Sequence, residues 1–144
     1  WASLPYVLGV TTVIFGKHID KLQIDREKHI HTLPVILGEK TSRYAVLAMM
    51  VLPYLLVIAM VITRYFTPLM LVVLLAVPTL LKTYPAFLLP KPAERPPDFP
   101  DGEGGWPLYF APLGFVHNRA FGMYFMLGLL VDVLIRYFIP AFWR

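Results

Sequence analysis

The stretch FGKHIDKLQIDREKHIHTLPVILG, residues 15–38, is polar and is set between strongly apolar segments. It contains the acidic residues Asp20, Asp25 and Glu27, four basic residues and three of the four histidines of the chain. Hard metal ions such as Mg²⁺ take carboxylate oxygens and substrate phosphates as ligands, and Lys or Arg cover the remaining phosphate charge. At the mouth of a membrane bundle, this composition therefore favours a site for a divalent metal and a phosphorylated ligand.

The composition of the whole chain indicates a membrane protein. Of its 144 residues, 58% are hydrophobic, and the mean hydropathy is +0.64, well above that of a soluble domain. The lack of cysteine excludes a disulfide framework and a thiolate metal site. The sequence starts at Trp1 inside an apolar run, with no initiator Met and no charged n-region, so we expect it to be the C-terminal part of a longer protein.

Uncharged runs divide the chain into segments that we predict to cross the membrane. Helices are expected at about residues 1–16, 44–63, 65–82 and 120–139, with Pro53 kinking the second of them. That second run of about 20 residues corresponds to about 30 Å of helix, which matches the thickness of the hydrocarbon core. The sequence thus predicts a single all-α domain, a polytopic transmembrane helix bundle.

Two polar segments connect these helices. Residues 17–43 form the predicted loop that carries the aspartates, and residues 83–119 form a predicted Pro/Gly-rich loop, either an active-site lid or a solvated linker. Within the second loop, the aromatic-rich residues 106–116 are expected to form an interfacial or re-entrant segment. In the last helix, Asp132 and Arg136 are four residues apart, which favours an ion pair over a functional acid at membrane depth.

The basic residues are distributed unevenly between the two ends of the predicted bundle. Six lie in residues 17–43 and four more in residues 82–119, whereas the other side has only Arg64, Arg136 and Arg144. Cytoplasmic loops of membrane proteins carry the excess of Lys and Arg. Ten basic residues against three therefore predict an integral, multi-pass protein with the aspartate stretch on the cytoplasmic side.

The order of residues in the polar stretch resembles a known enzyme motif. It is similar to the second aspartate-rich motif of the UbiA-type membrane prenyltransferases, and the matching positions are Asp25-Arg26, Thr32-Leu33-Pro34-Val35 and Leu37-Gly38. The resemblance covers the whole chain at the level of helix order, but its specific residues lie within about twenty-four positions. It implies that the chain is the C-terminal portion of a UbiA-like bundle.

The spacing of the two aspartates departs from the family pattern. In the family the two acids are usually four residues apart, whereas Asp20 precedes Asp25 by five, and Lys21 occupies the position four back. Four residues of α-helix turn about 400°, so such acids nearly eclipse, while five turn about 500° and leave them roughly 140° apart. Both acids can reach one metal ion only if the helix ends or distorts between them.

The resemblance implies an activity and a role for each motif residue. Enzymes of this family move a prenyl group from a prenyl diphosphate to an aromatic or other lipophilic acceptor, and Mg²⁺ held by two aspartate motifs neutralises the departing diphosphate. The resemblance makes Asp25 and Asp20 the catalytic metal ligands, and it makes Arg26, Lys28 and Thr32 substrate-binding residues. The partners it implies are prenyl diphosphate, a lipophilic acceptor and membrane lipid. It implies no nucleic-acid partner. The other aspartate motif would lie upstream, on an extension of roughly 130 to 180 residues.

Two other classes of function remain open. A CDP-alcohol phosphotransferase would carry a long Asp-Gly…Ala-Arg…Gly…Asp pattern, but residues 101–102 have no such continuation. A non-catalytic membrane protein, either a degenerate relative or an assembly factor, is compatible with the five-residue spacing. In that case Asp25 would form helix ion pairs with Lys21 and Lys28 on a solvated face.

Overall fold

The computed structural model describes residues 1–99 and 105–139, and this part of the chain is all-α. Its helices are α1 Leu4–Asp20, α2 Leu22–Glu27, α3 Leu33–Leu37, α4 Glu39–Ile62, the 3₁₀ helix Pro68–Ala76, α5 Val77–Leu88 and α6 Phe110–Phe138. Among the described residues, three helical segments are long and apolar enough to cross a membrane, namely Glu39–Ile62, Pro68–Leu88 and Phe110–Phe138. The fold is therefore that of a multi-pass membrane protein.

Helices α1 and α6 pack closely and run antiparallel. A Cβ atom added at Gly16 would lie 2.8 Å from the backbone of Phe110, and one added at Gly9 would lie 2.5 Å from Oδ1 of Asn118. Positions later in α1 thus face positions earlier in α6. Glycine at these contacts lets the two helix backbones approach, as in other membrane helix pairs.

The remaining long helices alternate in direction around this pair. The hydroxyl of Tyr54 in α4 lies 3.0 Å from Nε2 of His117 in α6, so these two helices are in contact. The guanidinium of Arg43, near the start of α4, donates to the carbonyl oxygen of Phe87 at 3.1 Å, and the Phe87 ring contacts the ring of Phe110. The ends of α1 and α5 and the starts of α4 and α6 therefore share one end of the bundle, which we call the polar end.

The opposite end of the bundle is tied together by one buried carboxylate. Asp132 accepts a hydrogen bond from the backbone N–H of Thr67 at 2.6 Å and pairs with Arg136 at 2.8 Å. Arg136 also donates to the carbonyl oxygen of Tyr65 at 2.7 Å. The expected ion pair is confirmed, and it holds the start of the 3₁₀ helix against α6.

The first helix and the first loop differ from their predicted bounds. Helix α1 continues past the predicted 1–16 to Asp20, and the predicted loop 17–43 is largely helical, since it contains α2, α3 and the first turn of α4. Charged residues mark where a helix leaves the apolar region, but they do not by themselves end it. Gly38, with φ of +81°, separates α3 from α4 in a conformation that favours glycine. The end of α4 at Ile62 agrees with the predicted 44–63 to one residue.

The second half of the chain also has longer helices than predicted. The predicted helix 65–82 begins as a 3₁₀ helix at Pro68 and continues to Leu88, with Pro85 inside α5. Prolines inside membrane helices are tolerated because neighbouring groups satisfy the freed carbonyl oxygens. Helix α5 therefore takes up the first residues of the predicted loop 83–119.

The predicted re-entrant segment 106–116 is replaced by the first turns of a longer last helix. Helix α6 begins at Phe110, ten residues before the predicted 120–139. Pro112 lies in its first turn, where the missing N–H costs no helical hydrogen bond. Residues 100–104 of the predicted loop, and Arg144 of the charge count, lie outside the described residues.

Candidate functional site

Asp25 lies at the polar end, where three segments of the motif stretch meet. Its side chain is in α2 and is largely buried, with 9% of the residue exposed. Its Oδ2 atom lies 3.5 Å from Nδ1 of His18, in α1, and 3.5 Å from the hydroxyl of Thr32, just before α3. The backbone N–H of Ile30 also donates to the carbonyl oxygen of Asp25 at 2.8 Å, which folds the intervening loop back over α2.

A break between α1 and α2 decides how the two aspartates are placed. Helix α1 ends at Asp20, and α2 begins at Leu22 after Lys21, whose φ of −101° and ψ of 8° depart from the helical values. The helix therefore does end between the acids, as a shared site would require. The structure nevertheless gives the two carboxylates different partners.

Asp20 is held against the start of α6. Its two carboxylate oxygens accept hydrogen bonds from the backbone N–H groups of Phe110 at 3.1 Å and Ala111 at 2.9 Å. Burial raises the pKa of the Asp20 carboxyl, and these N–H groups and the charge of Lys91 oppose that rise. A carboxylate at a helix N-terminus satisfies otherwise unpaired N–H groups and interacts favourably with the helix dipole. Asp20 thus acts as a cap for α6, ninety residues further along the chain.

Of the predicted substrate-binding residues, Thr32 contacts Asp25, whereas Arg26 and Lys28 do not. Arg26 and Lys28 are exposed, and Thr32 is half-buried. In the described part of the chain, the side chain of Asp25 contacts His18 and Thr32. Within the same part, it does not form the ion pairs with Lys21 or Lys28 that would be expected on a solvated helix face. Two cations next to a buried carboxylate are suited to binding a metal–phosphate ligand.

His18 is a member of this site that the sequence analysis did not select. It lies seven residues before Asp25, close to two helical turns, which would place both residues on one side of a continuous helix. That spacing was the signal in the sequence, and the contact persists across the break at Lys21. The imidazole can donate to the carboxylate and fix its orientation, as residues behind metal ligands commonly do.

The described side chains around Asp25 supply too few ligands to enclose a metal ion, so a metal there would need further ligands from a bound substrate. Among the described residues, no group of three or more His, Cys, Asp or Glu side chains could hold a metal ion. Mg²⁺ is usually bound through one or two carboxylates, with phosphates and waters completing its octahedron. Asp25 could supply one such carboxylate, and a bound phosphorylated ligand would have to supply further ligands.

Two buried polar groups in the bundle interior were also missed. His117 is fully buried and contacts the Tyr54 hydroxyl, while its Nδ1 atom has no hydrogen-bond partner. Arg43 is buried between Phe87 and Glu39, whose carboxylate lies 3.3 Å from it. An ionisable residue in an apolar run was the signal for His117, but only the tertiary structure reveals its partner.

Comparison of the chain with protein families, with curated proteins and with solved structures finds no match. The resemblance to the UbiA-type enzymes therefore rests on the residues of the motif stretch and on the order of the helices.

Proposed function

We propose that this chain is the C-terminal part of a Mg²⁺-dependent membrane prenyltransferase of the UbiA type. The enzyme transfers a prenyl group from a prenyl diphosphate to an aromatic or lipid acceptor at the polar end of the bundle. The observation that carries the proposal is the meeting of Asp25, His18 and Thr32 at this end, beside the exposed cations Arg26 and Lys28. Three segments of the motif stretch thus converge on one carboxylate.

Each residue of the site has a distinct role in this proposal. Asp25 binds the metal, and His18 and Thr32 orient its carboxylate. Arg26 and Lys28 bind the phosphate oxygens of the substrate and hold the diphosphate as negative charge develops on it. Mg²⁺, when bound, supplies the positive charge that makes diphosphate a good leaving group.

The hydrogen bonds that Asp20 makes to α6 limit its role in metal binding. To reach the same metal, its carboxylate would have to leave the N–H groups of Phe110 and Ala111, each of which would then need another partner. Leaving a buried N–H group unpaired costs about 1–3 kcal/mol. Asp20 therefore contributes to the site first by fixing the start of α6, and metal binding by Asp20 requires a rearrangement.

The distribution of charge supports a cytoplasmic position for the site. Lys82 and Arg119 lie deepest inside their helices, six residues before the end of α5 and nine residues past the start of α6, so the count of basic residues near the polar end omits them. Eight of the ten basic residues assigned to this side by sequence still remain, against three on the other. The inequality therefore still favours the cytoplasmic side for the polar end.

The test is prenyl transfer by the full-length protein in proteoliposomes, with labelled prenyl diphosphate and varied Mg²⁺. Asp25→Asn should abolish transfer, because the metal loses its charged ligand. Asp132→Asn is the control, since it removes a carboxylate at the opposite end and should affect stability more than turnover. Wild-type rates for Asp25→Asn at limiting Mg²⁺ would show that Asp25 is not a metal ligand.

A non-catalytic membrane protein is the second candidate. The engagement of both Asp20 oxygens by backbone N–H groups favours it, because this leaves one carboxylate at the site among the described residues. A degenerate relative of this kind would bind no Mg²⁺–diphosphate and would show no transfer by the full-length protein. Substitution of Asp25 would then change neither ligand binding nor any reaction.

A further inference from the structure

The exposed face of α6 is largely apolar, with the cation Arg119 in the first third of the helix and the cation Arg136 near its end. Phe115 and Met123 are 53% and 60% exposed, and Arg119 lies between them in the same exposed stripe. Arg119 is nine residues past Phe110, or about 13 Å from the polar end. Within the described residues, Arg119 makes no hydrogen bond or ion pair.

Arg119 lies within Phe110–Phe138, one of the described segments that are long and apolar enough to cross a membrane. Its neighbour Asn118 contacts α1 at Gly9, inside the uncharged residues 1–16. A charged side chain at such a depth is costly unless it reaches the interface or binds an opposite charge. The surroundings of Arg119 should therefore include an anion.

A groove between α5 and α6 lies beside Arg119. Its volume is about 280 Å³, and it is lined by Thr79, Phe115, Val116, Arg119, Ala120 and Met123. Lys82 is exposed on α5, three residues after Thr79 and so about one turn nearer the polar end. Like Arg119, it has no hydrogen bond or ion pair in the described part of the chain.

Helix direction brings these two cations toward one level. Side chains on a helix lean toward its N-terminus, and α5 and α6 run in opposite directions, with Phe87 against Phe110. Arg119 therefore leans toward the polar end, while Lys82 leans away from it, toward Thr79. These directions place the two charged groups at similar distances from the polar end, on the two helices that form the groove.

We propose that this groove binds the phosphate of an anionic phospholipid from the leaflet at the polar end. Arg119 and Lys82 bind the phosphate, and Thr79 lines the groove wall beside Arg119. One acyl chain lies along the exposed side chain of Met123, on the side of Arg119 away from the polar end. Basic pockets between transmembrane helices bind anionic head groups in this way. A carboxylate from another helix would match Arg119 alone, whereas a lipid phosphate also explains Lys82.

The test is lipid binding to the full-length protein in detergent micelles, by native mass spectrometry and thermal unfolding. We expect phosphatidylglycerol to bind and to raise the Tm more than phosphatidylcholine does. Arg119→Gln and Lys82→Gln should each weaken phosphatidylglycerol binding about five-fold, and the double variant more. Lys40→Gln, which removes an exposed cation outside the groove lining, should leave it unchanged.

Equal binding of the two lipids by the wild type, or unchanged phosphatidylglycerol binding by Arg119→Gln, would overturn the lipid site. A loss of stability in Arg119→Gln that is the same with both lipids would identify a carboxylate of another protein segment as the occupant, and would also overturn it. Should Arg119→Gln fail to fold, Lys82→Gln and the charge-conserving Arg119→Lys decide the question. The site is independent of prenyl transfer, so Asp25→Asn should retain it.

Discussion

At the scale of single residues, the two aspartates of the motif stretch have different surroundings. Asp20 accepts hydrogen bonds from two backbone N–H groups of α6, whereas Asp25 contacts the side chains of His18 and Thr32. The break at Lys21 does not bring them together, because the start of α6 lies against Asp20, whereas His18 and Thr32 lie against Asp25. The same residue type therefore serves helix capping at one position and the candidate site at the other.

Substitution of Asp20 should reveal its capping role. Asp20→Asn retains one acceptor oxygen but loses the negative charge and the second acceptor at the start of α6. We expect the free energy of unfolding of the full-length protein to fall by about 1–2 kcal/mol, as measured by denaturation in detergent. Asp98→Asn, which removes an exposed carboxylate at the same end, should have little effect.

The combination of stability and activity distinguishes the two roles of Asp20. A cap that is not a metal ligand predicts that Asp20→Asn retains the Mg²⁺ dependence of the wild type once it is folded. Unchanged stability with a loss of Mg²⁺-dependent transfer would instead make Asp20 a metal ligand, as the family resemblance implies.

At the scale of helices, the α1–α6 pair depends on close backbone contact at Gly16. Gly16→Ala places a methyl group 2.8 Å from the Phe110 backbone, so the two helices must separate or shift. Because backbone cannot move aside as a flexible side chain does, we expect a loss of about 1–3 kcal/mol in stability. The shift should also lengthen the hydrogen bonds of Asp20 to α6.

Gly38→Ala is the matched control for this substitution. A Cβ at Gly38 meets no atom within 4 Å, but the residue has a φ of +81°. The cost there is conformational and should be about 1–3 kcal/mol, because φ of 81° with ψ of 161° is a conformation that only glycine adopts readily, without any effect on the α1–α6 contact. Unchanged thermal stability of Gly16→Ala would contradict the close-packing argument.

The tie between α6 and the 3₁₀ helix can be measured with a double-mutant cycle. Asp132 bonds Thr67 and Arg136, and Arg136 also bonds the carbonyl oxygen of Tyr65. We expect Asp132→Asn and Arg136→Gln each to lower the free energy of unfolding, and the double variant to lose less than the sum of the two. A coupling energy of about 0.5–3 kcal/mol is typical for residues that share one network. Additive losses would show that the two side chains act separately.

Local chemistry allowed some helix bounds to be predicted but not others. The end of α4 agrees with its prediction because Arg64 ends the uncharged run just past the helix. The end of α6 at Phe138 also agrees with its prediction to one residue. The ends of α1 and α5 and the starts of α4 and α6 were misjudged, since charge and proline were taken as helix ends although both occur inside these helices. The bond between Asp20 and the start of α6 joins residues about ninety positions apart, and no local pattern contains it.

At the scale of the whole molecule, the long helices alternate in direction and separate two chemically different ends. Asp20 caps α6 at the polar end, and Asp132 holds the 3₁₀ helix at the other. Each carboxylate fixes the start of one helical element to a neighbouring helix. The sequence predicted the all-α membrane bundle from its apolar runs, but these cross-links depend on packing that only the folded chain contains.

This arrangement makes a topological prediction for the full-length protein in a background free of other cysteines. Single cysteines at Glu27 and Glu94, both exposed at or near the polar end, should react with a membrane-impermeant thiol reagent from the cytoplasmic face. A cysteine at Tyr65, which is 48% exposed at the opposite end, should react only from the outside. Tyr65 is the position for this cysteine because its neighbour Phe66 is buried and would be protected on either side.

Labelling of Glu27 and Glu94 from opposite faces is incompatible with α4 and the Pro68–Leu88 segment forming a membrane hairpin. Labelling of both from outside would keep the hairpin and reverse its orientation, which would place the candidate Mg²⁺ site on the external side.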